Sequence, residues 1–267
     1  MAVADKRADI GGIELFWREA PSPEGRPPVL YVHGSPSNSD DWLVFLERTG
    51  GLAPDLPGFG RSGKPANFPY TIEGFSNVLE RFLEQLGVER YSLVVHDWGG
   101  AALALAQRAP ERIERLVVMN SVPLLPSYRW HRWARVWRTP LLGELFMGTS
   151  SRWAAKRLLA EGTSHPDAIL DSIWSHFDHG TQRAILKLYR YANPSVLERA
   201  GQRLGEIHSP ALVVWGEDDP YIDASFAGRF ADALGGDTRV ELPSGVGHWP
   251  WVDEPRVIDT VAGFLLD

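Results

Sequence analysis

The residue types that could do chemistry meet in one short stretch, Val94-Val95-His96-Asp97-Trp98-Gly99-Gly100. An apolar run leads into it and the small residues Ala101, Ala102 and Ala104 follow, the pattern of a strand turning sharply into a helix. Asp97 stands at the turn, and two readings compete for it. An aspartate at a strand-to-helix junction commonly caps the helix. It is also a nucleophile that needs no activation, since a carboxylate with an ordinary pKa of about 3.9 is already an anion at neutral pH. Attack on an ester or amide carbonyl would give a high-energy anhydride. Displacement of a leaving group from saturated carbon gives a simple alkyl ester, so the electrophiles that suit Asp97 are epoxides and alkyl halides.

The elements that must hold this turn are legible as alternating runs. Tyr91 to Val95 is apolar, as are Val29 to Val32, Leu116 to Met119 and Ala211 to Trp215. Unbroken apolar runs of this length suit strands buried on both faces. Helical patterns separate them, among them Ile72 to Leu86 and Pro255 to Leu265, which predicts an α/β chain with a mostly parallel sheet covered on both sides. Ile10 to Arg18 is expected to form two short strands about a Gly11-Gly12 turn, and Arg239 to Leu242 a late apolar strand. A residue placed at the carboxyl edge of such a sheet lies where ligands bind, with the N–H groups of the following helix aimed at it.

The alternation lapses after Pro123, where the pattern is helical, rich in tryptophan and basic at its start. Trp130, Trp133 and Trp137 recur at helical spacing and are expected to share one face, most of them packing this segment onto the main domain. The segment is expected to be an inserted helical lid over 123–205, with 1–122 and 206–267 forming the core domain.

Composition narrows the functional classes. With 44% hydrophobic and 23% charged residues over 267 positions, the chain can bury an ordinary globular core. A formal charge of −7 provides no basic footprint for nucleic acid. There is no cysteine, hence no disulfide, thiolate metal site or cysteine nucleophile. The start "MAVADKRADIGG" lacks the apolar core of a leader, and no apolar run reaches the ~18 residues of a membrane span, so a cytoplasmic location is expected. No histidine pair has zinc-ligand spacing, and neither a metal nor an organic cofactor is expected. A monomer and a homodimer fit the sequence equally.

The stretch "His96-Asp97-Trp98-Gly99-Gly100" resembles the nucleophile elbow of the α/β-hydrolase fold, with aspartate in place of the usual serine. The resemblance extends through His33-Gly34 after a strand, Asp55 to Ser62 ("DLPGFGRS"), Trp215 to Pro220 ("WGEDDP") and Gly247-His248 before the last helix. Val95 stands where many members have glycine. The family order of nucleophile, acid and histidine implies Asp97, Asp219 and His248, with Asp218 the competing acid. It implies that the backbone N–H groups of Ser35 and Trp98 form the oxyanion hole, with His33 and Gly34 as structural support. His248 would take a proton from the water that hydrolyses the alkyl ester, oriented by Asp219. His96 should point to the opposite face by strand alternation. The histidines at 131, 165, 176, 179 and 208 have no partner pattern, and "HFDH" at 176 to 179 reads as a polar helix face.

Within that fold the resemblance is to epoxide hydrolases and haloalkane dehalogenases. Epoxide hydrolases use lid tyrosines to protonate the epoxide oxygen, which implies Tyr189 in "LKLYRY" and, with a poorer local match, Tyr128. Dehalogenases use the tryptophan after the nucleophile plus a second tryptophan or an asparagine after His-Gly, where this chain has Ser35. The expected activity is opening of a hydrophobic epoxide to a diol, with a haloalkane as the alternative substrate. A small-ligand binder without turnover is the third possibility.

Overall fold

The computed structural model describes residues 2–267. Its frame is an eight-stranded sheet in the order β1-β2-β4-β3-β5-β6-β7-β8. The strands are β1 (Ala4–Asp9), β2 (Glu14–Ala20), β3 (Val29–Val32), β4 (Gly51–Pro54), β5 (Tyr91–Asp97), β6 (Ile113–Ser121), β7 (Ala211–Val214) and β8 (Thr238–Glu241). β2 runs antiparallel to both β1 and β4, and from β4 to β8 every pairing is parallel. Chain order reverses about β3, whose neighbours are β4 and β5. The crevice at the carboxyl ends of β3 and β5 is therefore the switch point at which α/β sheets bind ligands.

Alternation along the central strands divides the core between two faces. Leu30, Val32, Leu93 and Val95 pack on one side with the helix Ile72–Gln85. Val29, Tyr31 and Val94 pack on the other with the helices Leu43–Thr49 and Arg256–Leu266. The helix Ile72–Gln85 buries Ile72, Phe75, Val78, Leu79, Phe82 and Leu83, spaced three and four apart, and Thr71 caps it by accepting from the Gly74 N–H at 3.0 Å. Each large apolar side chain so buried is worth about 1.5–3 kcal/mol.

Several expectations need correction. The first strand is Ala4–Asp9, upstream of the expected range, because its exposed residues ADKRAD carry no apolar alternation to read. β4 was not foreseen at all, being four residues that begin with glycine and end with proline. The last strand is an edge strand with only half-buried ends rather than an apolar one, and its exposed Arg239 pairs with Glu241. The motif at 176 to 179 is not a helix face: it lies at a helix junction, where Asp178 caps the helix His179–Tyr191 through the Thr181 N–H.

Between β6 and β7 the chain inserts six helices, Arg132–Arg138, Leu142–Gly148, Arg152–Gly162, Asp167–Ser175, His179–Tyr191 and Pro194–Ala200. Trp130 lies before the first of these, so the three tryptophans do not share one helix face. Trp130 stacks on Trp98 of the core at 5.6 Å, Trp133 donates to Glu161, and Trp137 is buried. Trp153 is 70% exposed and packs nothing onto the core. No helix among the described residues is long and apolar enough to cross a membrane.

The turn after β5 depends on close backbone approach. A Cβ at Gly99 would stand 2.0 Å from the Val32 carbonyl oxygen, a backbone atom of β3 that cannot rotate away. Gly99→Ala is expected to destabilise the protein by about 2–4 kcal/mol. In a thermal melt that is a fall of roughly 5–15 °C. A melting temperature within about a degree of the parent would show that the turn is not packed this way.

Candidate active site

Asp97 ends β5 with φ 47 and ψ −120, a left-handed conformation that a non-glycine residue adopts only when its surroundings hold it. Three bonds do so. The Asp97 carbonyl accepts from the Val122 N–H at 2.9 Å and the Ser121 hydroxyl at 3.1 Å, and the Ser35 N–H donates to Asp97 Oδ1 at 2.8 Å. Gly34 makes room, since a Cβ there would meet the Asp97 side chain at 2.4 Å. The side chain of Asp97 does not cap the short helical turn that follows, so the capping reading is set aside.

His248, in the loop after β8, aims its Nε2 at Asp97 Oδ2 from 3.6 Å, a charge contact too long to be a hydrogen bond. Its Nδ1 lies 2.8 Å from Asp219 Oδ2 in the loop after β7. Asp219 Oδ1 in turn accepts from the backbone N–H groups of Tyr221 and Ile222. Asp218 is exposed and takes no part. The structure thus brings Asp97, Asp219 and His248 together.

Sequence reasoning missed Asn120 and did not foresee the partners of His96 and His33. Asn120 has φ 37, at the point where the β5–β6 register skips from His96↔Met119 to Asp97↔Ser121. This bulge turns its Nδ2 to Asp219 Oδ2 at 2.7 Å while its Oδ1 accepts from the Gly216 N–H. His96 lies on the far face of β5, where its Nε2–H donates to the His248 carbonyl at 2.8 Å and its ring meets Trp251 edge-on. The His248 N–H donates to the carbonyl of Gly162, at the end of an inserted helix, at 2.6 Å. His33 spans its own loop, one ring nitrogen against Gly34 O and the other accepting from the Leu56 N–H. Nothing local in the sequence marks these contacts.

A pocket opens over Asp97, lined among others by Ser35, Tyr128, Trp137, Tyr189, Tyr221 and His248. His131, which the sequence left without a partner, lines it too. The Tyr128 hydroxyl and the Trp137 indole N–H, both on the pocket wall, are buried without hydrogen-bond partners, while the Tyr189 hydroxyl partners the Trp98 side chain. Buried donors are rarely left unpaired, so these two are free for a polar atom in the pocket. Tyr189 packs edge-on to Trp98 at 5.3 Å and lines the pocket together with Tyr128, while Tyr191 of the same helix donates to Glu73.

Electrostatics sort the ionisable groups. Burial alone would push His248 down, but the charge and hydrogen bond of Asp219, joined by Asp97, raise it to about 10. Burial would push Asp97 up, and the neighbouring His248 more than offsets this, leaving Asp97 below the usual carboxylate range. The resting site is therefore an imidazolium between two carboxylates. Burial, joined by the nearby charge of Asp97, drives Tyr128 and Tyr189 well above the ordinary phenol value and so keeps them protonated. Burial, with the positive His248 adding to it, drops His96 to about 3, and burial drops His131 to about 4, so both are neutral.

The chain belongs to the alpha/beta hydrolase fold family, whose model matches residues 27–255. It is 28% identical to a haloalkane dehalogenase of Bradyrhizobium diazoefficiens over 97% of this chain and 93% of that protein. It is 24% identical to epoxide hydrolase 3 of Xenopus tropicalis over 88% of this chain and 70% of that one. The crystal structure of haloalkane dehalogenase DbeA from Bradyrhizobium elkani superposes with a TM-score of 0.84 at 24% identity, covering 99% and 98% of the two chains, a likeness of fold. These relatives support a hydrolase acting on a small molecule.

Because the folded-state value of His248 lies above its unfolded one of about 6.5, its ion pairs stabilise the fold fully below that pH and lose this as pH rises through about 10. In thermal melts, the parent's advantage over His248→Gln is expected to be present at about pH 6 and to shrink by about pH 11. A gap that stays constant across that range would contradict the charged triple.

Proposed function

We propose that this hydrolase opens hydrophobic epoxides to diols, with Asp97 as nucleophile, His248 as base and the segment 123–205 acting as a lid over them. The observation that carries this reading is that one pocket is lined by the Asp97 carboxylate, the His248 imidazole and two protonated phenols, Tyr128 and Tyr189. A neutral phenol is the donor an opening epoxide needs, because the oxygen leaves as an alkoxide still tethered to the substrate.

In the first step an Asp97 oxygen bonds to an epoxide carbon, the carbon–oxygen bond breaks, and the alkoxide takes a proton from Tyr189 or Tyr128. Asp97 is now a neutral ester. One of the two charges that held His248 at about 10 has gone, so its affinity for a proton falls. The proton that His248 gives up passes to the phenolate left on the tyrosine and restores it. The neutral imidazole, held through Nδ1 by Asp219, then draws a proton from water as that water attacks the ester carbonyl. The Ser35 N–H, already 2.8 Å from Asp97 Oδ1, and the Trp98 N–H receive the developing oxyanion, a donor typically being worth roughly 3–4 kcal/mol; the centre then collapses, the substrate oxygen leaves with a proton as the diol, and Asp97 and His248 return to carboxylate and imidazolium. His33 and Gly34 keep the Ser35 loop in place.

A second reading has its own support. The unpartnered indole N–H of Trp137 on the pocket wall is the kind of donor that holds a departing halide, and the dehalogenase relative matches nearly the whole chain. The two readings part at the phenols. Tyr189→Phe is expected to lower kcat for epoxide opening by about 10²-fold and to leave haloalkane turnover within a few-fold, since a halide needs no proton. Equal losses on both substrates would remove Tyr189 from its role. His248→Gln is expected to trap the ester, visible as Asp97 heavier by one substrate in a peptide mass spectrum. An unmodified Asp97 after incubation with a substrate the parent consumes would exclude the two-step route.

A further inference from the structure

The space over Asp97 continues past the catalytic pocket. That pocket holds only about 30 Å³, room for one or two waters. Ser35, Pro36, Trp137, Leu158 and Leu159 line both it and a second cavity of about 150 Å³ between the inserted helices. The further walls of the second cavity include Phe146, Met147, Ala155, Ile173, Trp174 and Phe177, and no residue lining it is charged. A dry apolar cavity of that volume accepts a benzene ring.

We propose, on the strength of the epoxide reading, that the second cavity seats the substrate's apolar tail and restricts the enzyme to oxiranes substituted on one carbon by a phenyl-sized group. The restriction is steric. Attack requires the carbon to lie about 3–3.5 Å from an Asp97 oxygen. Beside Asp97 there is space for the unsubstituted CH2 end and the oxygen, so the substituted carbon must face the neck at Pro36 and Trp137. A group on the attacked carbon would run into His131, Tyr221 and Trp249, which wall the catalytic pocket. Those walls are fixed by packing: Tyr221 meets the His248 ring edge-on at 5.0 Å and its hydroxyl donates to the Leu158 carbonyl. A tail of ring size removes its apolar surface from water in the second cavity, which selects it over an oxirane with a methyl group alone.

The test uses the full chain, three oxiranes and one inert ligand. The kcat/KM for styrene oxide is expected to exceed those for propylene oxide and for trans-β-methylstyrene oxide by at least about tenfold each. Ethylbenzene, which cannot react, is expected to raise the melting temperature. Ala155→Phe, which fills the cavity, should cut the styrene oxide to propylene oxide ratio by at least about tenfold and abolish the ethylbenzene shift. Phe177→Ala enlarges the cavity and should raise the ratio of 2-naphthyloxirane to styrene oxide, which keeps the test decisive if Ala155→Phe does not fold. Oxiranes opened with no preference for the ring and no ethylbenzene shift would overturn the cavity's role while sparing the epoxide reading. Ethylbenzene bound by the parent and not by Ala155→Phe, with no oxirane opened, would leave the tail site standing and remove the epoxide reading.

Discussion

The constraint on which the rest of the structure depends is the bend at residue 97. A side chain other than glycine is held there at φ 47, a conformation that costs on the order of 1–3 kcal/mol and is kept only by its neighbours. Ser121 at the end of β6 and Val122 just beyond it donate to the Asp97 carbonyl, the loop after β3 contributes the Ser35 N–H to its carboxylate, and Gly99 admits the β3 backbone at contact distance. The result is a carboxylate fixed at the edge of the sheet before any ligand arrives. Such pre-organisation is what an oxygen nucleophile needs if it is to reach a carbon without reorganising.

That bend also organises the strands beside it. The register of β6 skips at Asn120, and the same bulge that feeds Ser121 and Val122 to the Asp97 carbonyl turns Asn120 toward Asp219. Asp97 and Asp219 are thus braced by one irregularity in one strand. His248 is gripped from both chain directions, through its N–H by Gly162 of the inserted helices and through its carbonyl by His96. Any displacement of the inserted helices is therefore felt at His248, because Gly162 and the Leu158 acceptor of Tyr221 lie on the same helix, Arg152–Gly162.

How much of this was legible in the chain follows from the range of each interaction. The elbow reads locally: an apolar run, Asp97 and two glycines within a few residues dictate the strand, the turn and the close approach. Asp219 and His248 were placed only through a resemblance in motif order, since no physical rule pairs them across the chain. Asn120 lies 99 residues from Asp219 and His96 lies 152 from the His248 carbonyl, and neither contact leaves a trace in local pattern. His131 looked like one of several unpaired histidines because its place in the pocket depends on how the inserted segment folds back. The spacing of Trp130, Trp133 and Trp137 misled for a related reason: the helix begins after Trp130, which is released to stack on Trp98. β4 was missed because its strand character comes from two neighbouring strands rather than from its own four residues.

The central claim is that bond formation occurs at the Asp97 carboxylate and that water later attacks that carboxyl carbon rather than the substrate. A single turnover in H2¹⁸O, with enzyme in excess over a styrene oxide it consumes, separates these directly. The account expects the heavy oxygen in the peptide containing Asp97 and unlabelled oxygen in the diol. Label in the diol with none in Asp97 would mean that water attacks the substrate itself, and the carboxylate at the bend would then not be the nucleophile.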